Sequence, residues 1–354
     1  MGRHKKEEQI SSPPKQPNCL ESDTEPINNI GSVSLPLTIS SGSTLLNLAL
    51  TNTIDGGWGV GRIANIVGDK SSGKSLICIE AVNYVLKILG KQYKVKVIYN
   101  ETEAAFDKDL AIQLGMPIDQ VEFHQSTTIE DWYKDVLNEV ENIEDTDLII
   151  YVLDSLDALS DSSEMEREID KSSFGAEKAK KTSELFRRLI RKINETKMVL
   201  LIVSQTRDRI GVTFGEKKTR SGGKALDFYA SQIVWLAEIE KLKNKDRIVG
   251  VGIKAKIKKN KIAKPFREAI FPILFGYGID DMGSMVDFLK DNKVCVAGNR
   301  FEWQEKTYSR EDFIKFIENN NLENEIKKLV KQTWDKLEFE SQIIRKSKYE
   351  ESKK

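Results

Sequence analysis

The chain is poor in the residues that build disulfide or metal centres. Its 354 residues include two histidines and three cysteines, Cys19, Cys78 and Cys295. An odd number of widely separated cysteines does not form a disulfide framework or a zinc motif. We therefore expect a protein of the reducing cytoplasm, where thiols stay free.

Long apolar runs and charge of one sign are also lacking. No stretch of about 18 uncharged apolar residues occurs, so we expect no membrane-spanning helix and no membrane partner. The first nine residues are charged and no apolar stretch follows them, so we expect no secretory signal. Lys and Arg number 55, as do Asp and Glu, which argues against a uniformly basic nucleic-acid binder.

What the chain does contain is an alternation of short apolar runs and segments of helical period. The apolar, β-rich runs lie at 63–67, 95–99, 148–153 and 199–203. Segments of helical period lie between them, at 75–89, 130–143 and 175–195. Continuous apolar strands alternating with helices are typical of a parallel sheet covered on both faces. The runs that follow have period two and predict an antiparallel extension of this sheet, at 231–239, 248–257 and 267–274.

Composition divides the chain into an arm, a core and a tail. Residues 1–29 are polar and contain proline, which predicts a disordered or partner-docked arm. The α/β core is predicted at 39–283. Residues 284–354 are predicted to form a small α/β domain with a charged tail, whose last helix carries an apolar stripe that includes Leu329 and Trp334.

One motif predicts a nucleotide site. Residues 68–75 read GDKSSGKS and match the pattern G-x-x-x-x-G-K-[ST] in full. In this pattern backbone N–H groups wrap a phosphate, the lysine reaches the β and γ oxygens, and the hydroxyl coordinates Mg²⁺. A strand is predicted before the motif and a helix after it, so the positive end of the helix faces the same anion. The alternative is a chance glycine turn. The nucleotide-binding residues predicted here are Gly68, Asp69, Lys70, Ser71, Ser72, Gly73, Lys74 and Ser75.

Polar side chains follow the neighbouring strands at the same edge of the predicted sheet. Asp154 comes directly after a strand and would hold Mg²⁺ together with the motif, with a helix cap as the alternative. Glu101, Glu103 and Asp107 follow another strand, and one of them would polarise the attacking water. The residue types do not choose among these three. Gln205 ends a further strand and could contact the γ-phosphate, although an ordinary loop amide is the simpler interpretation.

Two segments depart from the neutral charge balance. Residues 207–224 combine six basic residues with four glycines and three apolar side chains, Ile210, Val212 and Phe214. Basic side chains can bind the phosphates of single-stranded nucleic acid, and apolar side chains can contact its bases. A solvated surface loop is the alternative. Residues 241–267 carry eleven basic residues against one acid. This density indicates a solvated face, or a site for a polyanion or a phosphate at a subunit interface.

Ordered motifs lie at 39–43, 68–75, 103–107, 114–115, 153–159, 164–169, 204–207, 210–215, 221–231 and 258–266. Together they resemble the RecA recombinases, with features of the phage UvsX branch. The resemblance covers about 39–280, and residues 30–38 resemble the family's polymerisation strand. It implies a RecA-type P-loop NTPase core that binds ATP and Mg²⁺ and forms a helical filament on single-stranded DNA. The filament would pair this strand with homologous duplex DNA and exchange strands.

The resemblance also assigns roles to residues. Glu103 corresponds to the family's catalytic glutamate, and Gln205 to the glutamine that couples the γ-phosphate to DNA. Lys259 and Lys261 match lysines that reach ATP from the neighbouring subunit, and Asp107 lies in the nucleotide site. Two loops are implied to bind DNA, and Ile210 would enter the gap between base triplets. The implied DNA-binding residues are Phe174, Arg207, Arg209, Ile210, Phe214, Lys217, Lys218, Arg220, Gly222 and Gly223.

The chain departs from the family pattern at several positions. Leu110 and Phe275 replace two tyrosines that pack on the base, and Ala179 and Phe186 stand where the family tends to have arginines. The family's N-terminal docking helix is not evident in residues 1–29. The alternative function is therefore a regulatory or mediator ATPase that binds DNA or a recombinase without exchanging strands. Single-strand-binding and mediator proteins are further candidate partners. A ring helicase fits the order of motifs less well.

Overall fold

In the computed structural model, the described residues are 37–143, 147–162, 175–208, 218–220 and 225–345. The predicted arm and most of the polymerisation segment lie outside these ranges. Several predicted DNA-binding residues also lie outside the described residues: Phe174, Arg209, Ile210, Phe214, Lys217, Gly222, Gly223 and the side chain of Lys218.

A large mixed sheet forms the centre of the molecule. Two short strands, β1 (Thr38–Ser40) and β2 (Gly57–Gly59), pair with each other beside it. The large sheet contains β3 (Arg62–Gly68), β4 (Val95–Glu101), β5 (Glu122–His124), β6 (Leu148–Asp154), β7 (Met198–Asp208), β8 (Lys218–Arg220), β9 (Gln232–Asn244), β10 (Arg247–Asn260), β11 (Glu268–Leu274) and β12 (Gly278–Ile279). Their spatial order is β12-β11-β10-β9-β3-β7-β6-β4-β5, and β8 pairs with β7.

The direction of the strands divides this sheet into two parts. The strands from β9 through β3, β7, β6 and β4 to β5 pair in parallel. The pairs β9–β10, β10–β11, β11–β12 and β7–β8 are antiparallel. The parallel arrangement brings the carboxyl ends of β3, β4, β6 and β7 to one edge, where ligands of open α/β sheets bind.

Helices cover both faces of the sheet. They are α1 (Thr44–Thr51), α2 (Lys74–Lys87), α3 (Lys108–Gln113), α4 (Ile129–Glu141), α5 (Gly175–Glu195), α6 (Ala225–Tyr229), α7 (Asp281–Asp291), α8 (Arg310–Asn319) and α9 (Glu323–Glu340). Side-chain oxygens cap several helix starts: Ser43 accepts from the Leu46 N–H, and Thr128 accepts from the Asp131 N–H. Within the part of the chain that the structure describes, no helix is long and apolar enough to cross a membrane.

The core lies on both sides of the sheet, as the continuous apolar strands predict. Ile66 and Val152 pack on the face covered by α1, α2 and α7. Their neighbours Val67 and Leu153 pack on the opposite face, against α4 and α5. The central strands β3 and β6 are therefore buried on both faces, and the predicted α/β fold with a mixed, mainly parallel sheet is confirmed.

The C-terminal region packs directly on the core. Its small sheet contains β13 (Val296–Ala297), β14 (Arg300–Trp303) and β15 (Lys306–Tyr308). The Trp334 indole N–H donates to Asn52 Oδ1 at 2.8 Å, and Glu338 accepts from the Arg267 guanidinium at 2.7 and 2.8 Å. The apolar stripe of α9 faces inward from Ile326 to Trp334 and belongs to the same cluster as α1 and α2. The domain boundary at 283/284 stays a prediction.

Phe186 gives a physical reason for one departure from the family pattern. Its side chain is fully buried in the layer between the sheet and α5. The ring lies 5.5 Å from the ring of Trp132 and 6.3 Å from that of Tyr229, measured between centroids. An arginine has no place in this apolar contact, because a buried guanidinium needs polar partners.

Candidate nucleotide-binding and catalytic site

The loop between β3 and α2 forms the predicted phosphate cradle. Gly73 precedes α2 with a φ of 85°, a conformation that favours glycine. A Cβ on Gly68 would lie 2.3 Å from Ser72 Oγ, so a side chain does not fit there. The tip of the loop, at Lys70 and Ser71, is exposed. The N-terminal turn of α2 therefore faces an open loop whose backbone can approach a ligand closely.

Lys74 points into this loop. Its ammonium donates to the Asp69 carbonyl oxygen at 2.5 Å, and the side chain is almost fully buried. Burial lowers the pKa of Lys74, while the charges of Asp154, Glu103 and Asp69 act in the opposite direction. A buried ammonium that bonds a neutral carbonyl oxygen can exchange it for a charged phosphate oxygen, which is the stronger acceptor.

Ser75 and Asp154 provide oxygen ligands of the kind that Mg²⁺ prefers. Asp154 ends β6, accepts a hydrogen bond from the Tyr99 hydroxyl at 2.8 Å, and is also hydrogen-bonded to the Ser75 side chain. Burial raises the pKa of Asp154, and these two hydrogen bonds counteract that shift. The two residues that the sequence predicts for the metal thus meet at the carboxyl edge of the sheet, and their donor set fits Mg²⁺.

The three carboxylates near the end of β4 have different surroundings. Glu101 is buried, and its Oε1 accepts from the backbone N–H groups of Glu103 and Ala105 at 2.9 and 3.0 Å. Asp107 caps α3 by accepting from the Leu110 N–H. The carboxylates of Glu101 and Asp107 therefore fix the backbone that follows each of them. The Glu103 carboxylate instead bonds side chains from the neighbouring strands, Ser155 after β6 and Gln205 in β7.

Glu103 and Gln205 are in direct contact. The Gln205 side-chain amide donates to Glu103 Oε1 at 2.9 Å, and the Ser155 hydroxyl donates to the same oxygen. The Gln205 backbone N–H donates to Asp157 Oδ2 at 2.5 Å. The end of β7 is thereby connected both to the candidate base and to the turn after β6.

Three polar residues of this edge are absent from the sequence-based prediction. Ser155 contacts Glu103, Asp157 fixes Gln205, and Thr206 donates its hydroxyl to Asp69 of the phosphate loop. Each lies two to four residues beyond the end of a predicted strand. That position was the available signal, but serine and threonine are too common in loops for it to be decisive.

Two adjoining cavities lie along the phosphate loop. One of about 240 Å³ is lined by Ser75, Glu103, Asp107 and Asp154. The other, of about 350 Å³, is bounded by Leu110, Leu114, Ile273 and Phe275 next to the loop. In the first, called the polar cavity here, carboxylates lie beside Ser75 as a metal site requires. The second, the apolar cavity, combines Lys74 of the phosphate loop with apolar walls suited to a base. Leu110 and Phe275, which replace the family's tyrosines, both line the apolar cavity.

Lys259 and Lys261 lie apart from this cluster. The Lys259 ammonium donates to the carbonyl oxygens of Asp227 and Phe228 in α6, at 2.5 and 3.0 Å. Lys261 is exposed at the end of β10, and the Phe228 side chain is 70% exposed. The contact of Lys259 and Lys261 with the nucleotide of a neighbouring subunit stays a prediction.

The predicted DNA-binding arginines within the described residues differ in exposure. Arg207 is exposed at the end of β7. Arg220 is buried, and its guanidinium is bonded to Asn65 and Asp227. The Arg220 side chain is thus enclosed and paired within the protein, and the DNA contact predicted for it stays a prediction.

The fold and the site define a P-loop NTPase, and comparison with known proteins gives the family. The RecA N-terminal domain family matches residues 30–280. Protein RecA of Streptomyces coelicolor is 34% identical over 298 residues, which cover 83% of this chain and 76% of that protein. Protein RecA of Nostoc punctiforme is 32% identical over 303 residues, covering 84% and 81%. Protein RecA of Caulobacter vibrioides is 32% identical over 313 residues, covering 85% and 83%. The chain belongs to the RecA family of ATP-dependent recombinases.

Proposed function

We propose that this chain assembles on single-stranded DNA in the presence of ATP, pairs the strand with homologous duplex DNA, and exchanges strands. The observation that carries the proposal is the contact between Glu103 and Gln205 beside Lys74. This contact unites a candidate base, a residue at the end of the strand that leads to the predicted DNA loop, and the phosphate cradle. The RecA family assignment supports the same activity.

ATP would bind with its phosphates in the loop 68–75. Lys74 would exchange the Asp69 carbonyl for the β and γ oxygens, since a charged phosphate is the stronger acceptor. Ser75 and Asp154 would hold Mg²⁺, which supplies positive charge that stabilises the transferring phosphoryl group. The base would occupy the apolar cavity between Leu110 and Phe275.

Glu103 would act as the general base of hydrolysis. Its carboxylate is exposed at the carboxyl edge of the sheet and lines the polar cavity with Ser75 and Asp154. Gln205 donates to the same carboxylate, so a movement at the end of β7 changes the environment of the base. Binding of DNA to the segment that follows β7 would in this way alter the rate of hydrolysis.

The partners follow from the same assignment. Single-stranded DNA would contact Arg207 and the segment 209–217, and self-association would place Lys259 and Lys261 beside the nucleotide of the next copy. The protein would act in the cytoplasm, where single-strand-binding or mediator proteins are candidate partners.

A strand-exchange reaction tests the proposal. A circular single strand is incubated with linear duplex of the same sequence, and in parallel with duplex of unrelated sequence, with and without ATP. We expect joint molecules and exchanged products only with the homologous duplex and only with ATP. DNA-stimulated ATP hydrolysis without joint molecules would contradict strand exchange and indicate a regulatory ATPase.

A further inference from the structure

A buried arginine outside the nucleotide site connects several elements of the core. Arg220 lies in β8, opposite Thr206 of β7, and its side chain is 5% exposed. Its Nη1 donates to Asn65 Oδ1 at 2.7 Å, and its Nη2 lies 3.1 Å from Asp227 Oδ1. Because the guanidinium presents donors in a rigid fork, one side chain can fix two partners in a defined geometry.

The Asn65 partner is itself immobile. Asn65 is fully buried in β3, and its amide donates to the Ile202 carbonyl oxygen and to Ser204 Oγ, both at 2.9 Å. These bonds fix the Asn65 side chain to β7, the adjacent strand. Arg220 is therefore held through Asn65 by the two central strands of the sheet, β3 and β7. Its remaining donors can position a less rigid element.

That less rigid element is α6. A helix of five residues is not stable by itself, so tertiary contacts must set its position. Ala225 and Leu226 bury their side chains in the core, and the Asp227 carboxylate, 59% exposed, pairs with Arg220. The carbonyl oxygens of Asp227 and Phe228 accept from the Lys259 ammonium. Asp227 thus bonds Arg220 through its side chain and Lys259 through its backbone.

The charges in this region make Asp227 the compensating group. Burial lowers the pKa of Lys259, and the nearby positive charges of Lys261 and Arg220 lower it further, whereas Asp227 raises it. Burial also lowers the pKa of Arg220, and the charges of Asp227 and Asp157 raise it. Without the Asp227 carboxylate, Lys259 would keep the repulsion of Lys261 and Arg220 and lose the charge that opposes it, which disfavours its position on α6.

We propose that the Arg220–Asp227 pair is a positioning device for Lys259: it fixes α6, whose carbonyl groups hold the Lys259 ammonium at the surface where a second copy would bring its nucleotide. Arg220 is accordingly a positioning residue and not a DNA contact. The inference rests on the proposed function, because Lys259 acts only when another copy presents ATP to it.

The test compares variants of the full chain. They are Asp227→Asn, Asp227→Glu, Arg220→Lys, Lys259→Ala and the double variant of Asp227→Asn with Lys259→Ala. Asp291→Asn is the matched control, because this carboxylate is exposed at the end of α7. The measurements are kcat and KM for ATP with single-stranded DNA, the Kd for nucleotide without DNA, and the thermal unfolding midpoint.

We expect Asp227→Asn and Arg220→Lys to lower the DNA-stimulated kcat about tenfold, as the loss of one coupled pair would. The nucleotide Kd without DNA should stay within about twofold, because the phosphate loop itself is unchanged. Asp227→Glu keeps the charge and should recover part of the loss, and Asp291→Asn should behave as the wild type. In the Lys259→Ala background, Asp227→Asn should cause no further loss.

Several results would overturn the inference. If Lys259→Ala lowers hydrolysis but Asp227→Asn does not, the proposed function stands and the positioning role is wrong. Multiplied losses in the double variant would mean that the two residues act independently.

A weakened nucleotide Kd in Asp227→Asn would mean that the pair acts on the phosphate loop through Asn65. If Lys259→Ala has no effect, the inter-copy role of Lys259 fails and the inference fails with it. Since Asp227 is more exposed than Arg220, its variants give an answer even if Arg220→Lys does not fold.

Discussion

Glu80 provides a direct test of the packing around the phosphate-loop helix. It lies in α2, where a Cβ on Gly42 would be 2.6 Å from Glu80 Cβ and a Cβ on Gly278 would be 3.1 Å from its Oε1. The two glycines therefore let the backbone close over this carboxyl group. Its pKa is raised from 4.5 to about 7: burial is the main cause, the charge of Asp281 adds to the rise, and Lys87 acts in the opposite direction.

The raised pKa fixes how stability depends on pH. In the unfolded chain Glu80 ionises near 4.5, whereas in the folded chain it ionises near 7. Between these values the folded state binds more protons, so the free energy of unfolding falls as pH rises through this window. Each unit of difference corresponds to about 1.4 kcal/mol, which gives about 3 kcal/mol across the window. Replacement by glutamine resembles the protonated form and removes this loss.

We therefore expect Glu80→Gln to be close to the wild type in stability near pH 5 and about 2–3 kcal/mol more stable near pH 8. Urea unfolding of both proteins across this range measures the difference. Burial also raises the pKa of Asp281. Because Asp281 is present in both proteins, its contribution to the pH dependence of stability largely cancels in the comparison. Glu302→Gln, at an exposed position, is the control. If the two stability curves run parallel from pH 5 to pH 8, Glu80 does not titrate in this window and the reasoning is refuted.

Three further substitutions test the site and the core. Lys74→Ala should weaken ATP binding at least tenfold in a calorimetric titration, because the ammonium that meets the phosphates is lost; unchanged affinity would contradict its role. Gln205→Ala should keep nucleotide affinity but lose most stimulation of hydrolysis by single-stranded DNA, and stimulation that persists would show that another residue couples the two sites. Phe186→Ala should lower the free energy of unfolding by about 3–5 kcal/mol in urea, and a loss below about 1 kcal/mol would contradict its place between Trp132 and Tyr229.

The sequence predicts the central sheet well because its strands are buried on both faces. The apolar runs 148–153 and 63–67 fall within β6 and β3. Short elements were not predicted, such as β5 at Glu122–His124, which has too few residues to show a period. The ends of β9 and β10 were also missed, because the hairpin beyond residue 240 is largely exposed and its polar residues carry no alternation.

In the candidate site, too, residues defined by their neighbours in sequence could be predicted, and contacts between distant segments could not. The phosphate loop and Asp154 could be predicted because a motif and a strand end define them locally. The choice of Glu103 over Glu101 rested on resemblance, because their different hydrogen bonds exist only in the folded turn. The burial of Arg220 could not be predicted for a related reason. Its partner Asn65 lies 155 residues away in the chain, so its burial cannot be inferred from the basic composition of its own segment.

The rate of ATP hydrolysis with and without single-stranded DNA, across a series of salt concentrations, shows whether DNA acts on the nucleotide site. We expect strong stimulation that weakens as salt rises, since basic residues that bind phosphates release counterions. We also expect that Glu103→Gln retains nucleotide and DNA binding but loses turnover by about 100-fold or more, the contribution expected of a general base. Glu302→Gln should hydrolyse ATP like the wild type. A rate that does not respond to DNA at any salt concentration, or full turnover in Glu103→Gln, would contradict the account.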